Sequence, residues 1–418
     1  QIRDLKSVTA LANPNPLARR EAAQRLVGNT DPVVLDALRL RQAEEANPLV
    51  KGVIDTALNI AVLRDPASQL NERLNAIDAV AGSLEPAVRN VLRDRLAQSD
   101  AAAERNAAER ALKKIDLRTE RYETADTIFF GLSLGSVLLL AAIGLAITFG
   151  VMGVINMAHG EFIMMGAYTG YVVQQFVPNY TVSILIALPL AFLVTFAAGV
   201  AMERLVIRHL YNRPLETLLA TFGISIALQQ IAKNIFGTKA RPLTAPAWLD
   251  GAWILNDVVS ISYIRIAIFA LALIFLCVFL FIMKRTRLGL ETRAVTQNPR
   301  MAASMGINPD RVNMLTFGLG SGIAGIAGVA IGLFAKVTSE LGSDYIVQSF
   351  MTVVVGGVGN IWGTLAGAAM IGFLQKGIEW MNPSNTLAAQ TYMIIFIIIF
   401  IQFRPRGIIA LKGRAAGD

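Results

Sequence analysis

NMAHGEFIMMGAYTG, residues 156–170, sits inside a nearly unbroken apolar run, yet it carries Asn156, His159 and Glu161 among three glycines. His159 is one of two histidines in the chain, and Glu161 is the only acidic residue between Asp126 and Glu203. Ionisable groups are costly in hydrocarbon and tend to line pathways. A broken helix is tolerated in a membrane only where it borders protein or water. The same residues also suit a wet turn, with Asn156 capping the next helix and glycines allowing close packing. Both readings stand at this point.

The surroundings decide the class. The chain has 418 residues, 54% hydrophobic and 16% charged, with mean hydropathy +0.52. Soluble domains carry about 25% charged residues, so this composition belongs to a membrane protein. Residues 1–125 hold 19 basic and 18 acidic side chains; the remainder holds 19 and 12. A near-neutral polar front therefore precedes a hydrophobic, basic back. Membrane topology accounts for the high pI without a nucleic-acid partner. Cys277 is the one cysteine, so no intrachain disulfide forms. The chain opens on Gln1 with no leading apolar segment, as expected of a mature form or a trimmed one.

Residues 1–118 are rich in Ala, Leu, Arg and Glu, a helix-forming mixture. NPLARREAAQRL begins at Asn15 and NPLVKGVIDTAL at Asn47, a spacing of 32; DPVVLDAL at Asp31 and EPAVRNVL at Glu85 open in the same manner. Each puts a polar cap before a proline at the first helical position. A period in the thirties predicts a HEAT-like helical solenoid over 1–118, outside the membrane, with 119–126 as a linker. It either binds a partner or serves as a spacer, and it carries no catalytic or metal-ligating cluster.

The back, 127–414, reads as a polytopic bundle of eight or nine spans. Candidates are 127–150, 159–177, 182–206, 217–236, 263–283, 311–335, 361–380 and 386–403, with 344–357 either crossing or re-entrant. Basic residues cluster at Arg204, Arg208 and Arg213, at Lys284, Arg285, Arg287, Arg293 and Arg300, and at Arg404, Arg406, Lys412 and Arg414. The alternate loop at 237–262 balances Lys239 and Arg241 against Asp250 and Asp257. Positive loops face the cytoplasm, which puts the solenoid outside and the C-terminus inside, and requires an odd number of crossings. Thr221, Ser225 and Gln229 form one stripe on a helix, suited to a polar path or to interhelical hydrogen bonds. GLGSGIAGIAGVAIG, 318–332, and GGVGNIWGTLAGAAMIG, 356–372, space small residues for close helix packing. The second faintly echoes the opening stretch, with Asn360, Gly363 and Gly367-Ala368 against Asn156, Gly160 and Gly166-Ala167; inverted repeats are common in transporters.

RTRLGLETRAVTQNPRMAASMGINPDRVNMLTFGLG, from Arg285, predicts a helix at Glu291–Thr296, a turn at Asn298-Pro299, a second helix at Arg300–Met305 ended by Gly306, and a new span from Asn308-Pro309. It resembles the coupling segment of ABC importer permeases of the branched-chain amino-acid family. GVINMAHGEFIMMGAY, 153–168, and MTVVVGGVGNIWGTLAGA, 351–368, resemble two further blocks of that family, so the likeness covers 126–414. The extra N-terminal helical domain, QNPRMAASMGI, FGLGSGIAG and FIQFRPRGIIALKGR resemble the urea-type permeases.

The resemblance implies a urea-translocating permease subunit in a bacterial inner membrane. The partners it implies are a second homologous permease, two cytosolic ABC ATPases and an external solute-binding protein. No GxxxxGK[ST] loop occurs, so hydrolysis falls to another chain. Asn156, His159, Glu161, Thr221, Ser225 and Gln229 are the candidate solute path, Glu161 being expected to hold the Asn156–His159 turn. Glu291, Arg293, Asn298, Arg300 and Gly306 are the candidate coupling contacts. No cofactor or metal is expected. The alternative is a branched-chain amino-acid permease of the same family. An intramembrane enzyme on His159 and Glu161 lacks an HExxH pair, and His209 lies in a basic loop. A non-transporting scaffold is the remaining reading.

Overall fold

The computed structural model describes residues 2–255 and 259–409, so Asp257, Lys412 and Arg414 lie outside the described residues. The chain divides into two units, one comprising residues up to Asp126 with Ile254–Ser260 and the other Thr127–Trp253 with Ile261 onward.

The first unit begins with α1 (Ile2–Ala10), α2 (Pro16–Leu26), α3 (Pro32–Glu44) and α4 (Pro48–Arg64). Next come α5 (Leu70–Val80), α6 (Pro86–Gln98) and the opening turns of α7 (Ala102–Met152). Asn15, Asp31 and Asn47 accept backbone N–H groups of Leu17, Val33 and Leu49, each at 3.0 Å, as their Asn-Pro and Asp-Pro openings predict. Glu85 precedes Pro86 without a side-chain capping bond.

The repeat differs from the expected one. Helix starts recur at 54 residues, Pro16 with Leu70, Pro32 with Pro86, and Pro48 with Ala102. Arg64 donates to the Gly28 carbonyl at 2.5 Å, and Arg118, 54 residues later, donates to that of Gly82 at 2.6 Å. The unit is thus two copies of a three-helix motif. The 32-residue spacing joined α2 to α4, which hold different places within one copy. Each copy has a core, the first around Leu26, Leu38 and Ile54, the second around Ile77, Leu92 and Ile115. In the first copy Glu45 takes Arg19 through both oxygens, at 2.7 and 2.8 Å, with Arg41 on one of them. The Arg19 hydrogen bond holds the Glu45 carboxyl down at about 2.

Residues 119–126, expected as a linker, are helical and fall within the 51 residues of α7. That stretch, TERYETAD, contains neither Gly nor Pro to break the helix.

The chain continues with α8 (His159–Phe176), α9 (Tyr180–Leu205), α10 (Pro214–Phe236), a hairpin of β1 (Ala252–Ile254) and β2 (Ser260–Ser262), and α11 (Tyr263–Arg285). It closes with α12 (Arg287–Gln297), α13 (Pro299–Ser304), α14 (Pro309–Gly332), α15 (Leu341–Gly356), α16 (Ile361–Met381) and α17 (Thr386–Phe403). The chain is helical apart from that hairpin and one isolated bridge, Arg241 to Val337, among the described residues.

Among the described residues, six helices are long and apolar enough to cross a membrane: α7, α9, α10, α11, α14 and α17. Counting α15 and α16 as one broken span gives seven, against the eight or nine expected. The difference has two sources. Segment 344–357 forms α15, joined to α16 by a sharp 119° bend, the geometry of a broken span or a re-entrant loop. Segment 159–177 forms α8, which spends its length on Gly160, Glu161, Gly166, Thr169, Gly170, Gln174 and Gln175.

Burial orders the bundle. The most apolar stretch of α14 is 83% buried against 22% for α11, although α11 is the more hydrophobic. Small residues put α14 in the middle: a Cβ on Gly166 would stand 1.9 Å from the Gly325 carbonyl oxygen, so the α8 and α14 backbones touch. One further spacing is resolved by the fold. Gly131-Leu132-Ser133-Leu134-Gly135 matches GxSxG but lies inside α7, not on the strand-to-helix turn that a nucleophile requires.

Candidate functional site

α7 ends at Met152, Gly153 turns the chain with φ +65°, and α8 starts at His159. Asn156 stands two residues before the first capping residue, Ala158, and its Oδ1 accepts the Ala158 N–H at 3.0 Å. It forms a side-chain turn leading into α8. His159 is buried, with Nε2 2.9 Å from the Ala141 carbonyl oxygen, so the ring anchors α8 to α7. Asn156 Nδ2 and His159 Nδ1 are buried without hydrogen-bond partners.

Glu161 does something other than expected. Its carboxylate does not hold the Asn156–His159 turn; Oε1 accepts from Ser225 Oγ and Gln229 Nε2, each at 2.8 Å. Thr221 Oγ1 accepts the Met157 N–H at 3.1 Å. The four-residue stripe on α10 thus meets the N-terminal turn of α8 rung by rung, as interhelical hydrogen bonds. Glu161 is 1% exposed, and its Oε2 has no partner. A buried carboxylate oxygen carrying no hydrogen bond is an open acceptor.

Two members of the cluster were not foreseen. Ser343, in the first turn of α15, receives Gln229 Nε2 at 2.7 Å. Lys233 pairs with Glu340 at 3.2 Å. Lys233 was legible as the next four-residue step after Thr221, Ser225 and Gln229. Ser343 carries no such signal, because its place depends on the long-range contact of α15 with α8. There Gly160 and Gly342 meet so closely that a Cβ on either would be 2.3 Å from the other's carbonyl oxygen.

The coupling candidates gather elsewhere. α12 starts at Arg287, one turn before the expected Glu291, and Arg287 Nε donates to Glu291 Oε1 at 2.6 Å. Arg293 donates to the Met283 carbonyl. Asn298 caps α13, accepting the Met301 N–H at 3.0 Å. Arg300 is exposed, and Gly306 ends the segment in the left-handed region at φ +86°. Asn308 caps α14 as expected. Val295, Ala302 and Val312 form a small core that joins α12 and α13 to the base of α14. Neither cluster contains three or more His, Cys, Asp or Glu placed to hold a metal, among the described residues.

Residues 127–402 match the family model described as branched-chain amino acid transport system / permease component. The chain belongs to that family. It is 31% identical over 293 residues to the high-affinity branched-chain amino acid transport system permease protein LivH of Salmonella typhimurium, covering 68% of this chain and 94% of the relative. It is 29% identical over 305 residues to the corresponding protein BraD of Pseudomonas aeruginosa, covering 69% and 97%. The autoinducer 2 import system permease protein LsrD of Yersinia enterocolitica is 25% identical over 302 residues, covering 69% and 84%. No solved structure matches. The relatives are ABC permease subunits, transporters rather than enzymes, and the family implies ATPase and binding-protein partners. In this permease the Asn156–Glu161 break and the α12–α14 segment both lie inside the matched region.

Proposed function

We propose that this permease forms the membrane path of an ATP-driven importer for a small solute rich in N–H donors, and that Glu161, Ser225, Gln229 and Ser343 border the path. The observation that carries this is the open Glu161 Oε2 beside a polar helix face. α10 turns Gln230 and Asn234 to the exterior of this chain and shows part of Lys233 there. Lipid penalises such groups, whereas a water-filled path or a second permease accommodates them.

A branched-chain amino acid is the first reading of the solute, supported by the names of the relatives LivH and BraD. Its ammonium group would sit on Glu161. Urea is the second reading, and a specific observation favours it. Glu161 has only neutral partners, and the nearby cation, Lys233, is already paired with Glu340, which leaves a zwitterion's carboxylate no free cation in this cluster. Urea is neutral and offers four N–H donors, and the permease carries an N-terminal unit outside the matched residues 127–402.

The remaining parts follow from the family likeness and the charge pattern. Two cytosolic ATPases would bear on Glu291–Gly306, a second homologous permease would complete the path, and an external binding protein would deliver the solute. The basic loops support α12 and the C-terminus in the cytoplasm and the front unit outside, an orientation in which α8 also crosses and α15 with α16 either turn back together or cross separately. Uptake of labelled leucine and labelled urea by cells carrying the complete importer, each competed by the other, separates the two solutes. Uptake of neither, with the importer assembled, sinks both readings.

A further inference from the structure

We propose that the cleft beneath α12 is a binding site for an anionic phospholipid, with the phosphate held by Lys284 and Arg293. A cavity of about 360 Å³ lies where α7, α11 and α16 meet α12. Its inner wall is hydrocarbon, from Ile147, Val151, Phe279 and Met283, and its mouth is polar, from Lys284, Arg293, Thr296 and Asn360. α7 ends at Met152, α11 at Arg285, and α16 begins at Ile361, so three helix ends meet at this level, where spans leave the bilayer.

Both cations are exposed, and neither forms an ion pair with a carboxylate among the described residues. Lys284 Nζ lies 5.9 Å from the centre of the Trp362 ring, which is 48% exposed. An indole beside an ammonium group is the pairing found at the interface between headgroups and acyl chains. Arg293 spends one N–H on the Met283 carbonyl, which orients the guanidinium and leaves its other donors for phosphate. The ligand is thus an anion with a long apolar tail. A basic pocket between spans is the recognised seat of such headgroups. A soluble phosphate or an acidic peptide would leave the apolar wall uncovered. Thr292 and Thr296 carry α12 onto this cleft, Thr296 Oγ1 reaching the Val151 carbonyl at 3.3 Å. A bound lipid would therefore brace α12 against α7 and α16. The inference needs only that this level is a membrane boundary, not the direction of transport or the solute.

The test uses the full chain in mixed micelles containing acyl-brominated phosphatidylglycerol or acyl-brominated phosphatidylcholine, and reads the tryptophan quenching that Trp362→Phe removes. The anionic lipid should quench this component at roughly fivefold lower mole fraction, the preference expected for about one to two headgroup contacts. Lys284→Gln with Arg293→Gln should abolish the preference, and Lys284→Arg should keep it. If the double variant fails to fold, Lys284→Gln alone should reduce the preference. Equal quenching by the two lipids would overturn the site. So would a preference untouched by the lysine and arginine changes, or displacement of the brominated anionic lipid by millimolar inorganic phosphate or by a soluble acidic peptide.

Discussion

Gln229 Nε2 stands 2.8 Å from Glu161 Oε1 and 2.7 Å from Ser343 Oγ, so one amide group ties α10 to both α8 and α15. These residues lie far apart in the chain, and the contact joins the least buried of the three helices to the other two. An importer must change the exposure of its solute path, and a polar clasp between a peripheral helix and the core is a place where two arrangements can interchange.

Glu161→Gln should keep the hydrogen bonds to α10 in altered form while removing the charge. Solute uptake should fall at least about tenfold, equivalent to roughly 1.4 kcal/mol, with the importer still assembled. Glu161→Leu should also destabilise the subunit, because it leaves Ser225 and Gln229 without their acceptor at about 1–3 kcal/mol. Uptake assays and thermal unfolding in detergent check the pair.

Gly166→Ala should lower the unfolding midpoint, since the added Cβ would stand 1.9 Å from the Gly325 carbonyl oxygen. Overpacking of this kind costs about 1–3 kcal/mol. Gly223→Ala on α10 has nothing within 4 Å of the new Cβ and should leave the isolated subunit unchanged or slightly more stable. Equal losses in both variants would contradict the close approach of α8 and α14.

The first unit should lose stability in acid. Glu45 titrates near 4.5 when unfolded and at about 2 when Arg19 holds it. In that window the unfolded state binds the extra proton, so the stabilisation is complete above the higher value and drains away as pH falls toward the lower one. Glu45→Gln should flatten the pH dependence of unfolding between those limits, as followed by circular dichroism.

Gly306→Val should weaken the turn between α13 and α14. A side chain at φ +86° costs about 1–2 kcal/mol. Solute-stimulated ATP hydrolysis by the assembled importer should fall, while the affinity of the external binding protein for its solute should not change.

Local chemistry explains what could be read from the sequence. Span ends were legible because prolines and basic residues mark them: α10 starts at Pro214, α14 at Pro309 after Asn308, and α11 ends at Lys284-Arg285. The α10 stripe was legible because it needs only helical periodicity. The role of Glu161 was not, since its partners lie 64 and 68 residues away and nothing local separates a turn contact from an interhelical one. The front repeat misled for a related reason. An Asn-Pro opening reports the start of a helix and says nothing of that helix's rank in the motif, whereas the Arg64–Gly28 and Arg118–Gly82 contacts report the rank.

The central claim is that the α10 stripe faces the solute path, and one labelling measurement tests it. Cys277 is the chain's only cysteine, so Cys277→Ser gives a clean background for Gln229→Cys. In the assembled importer the new thiol should react with a membrane-impermeant maleimide, and saturating solute should slow that reaction. A thiol that stays unreactive throughout the transport cycle, or one whose reaction is indifferent to solute, would contradict the account.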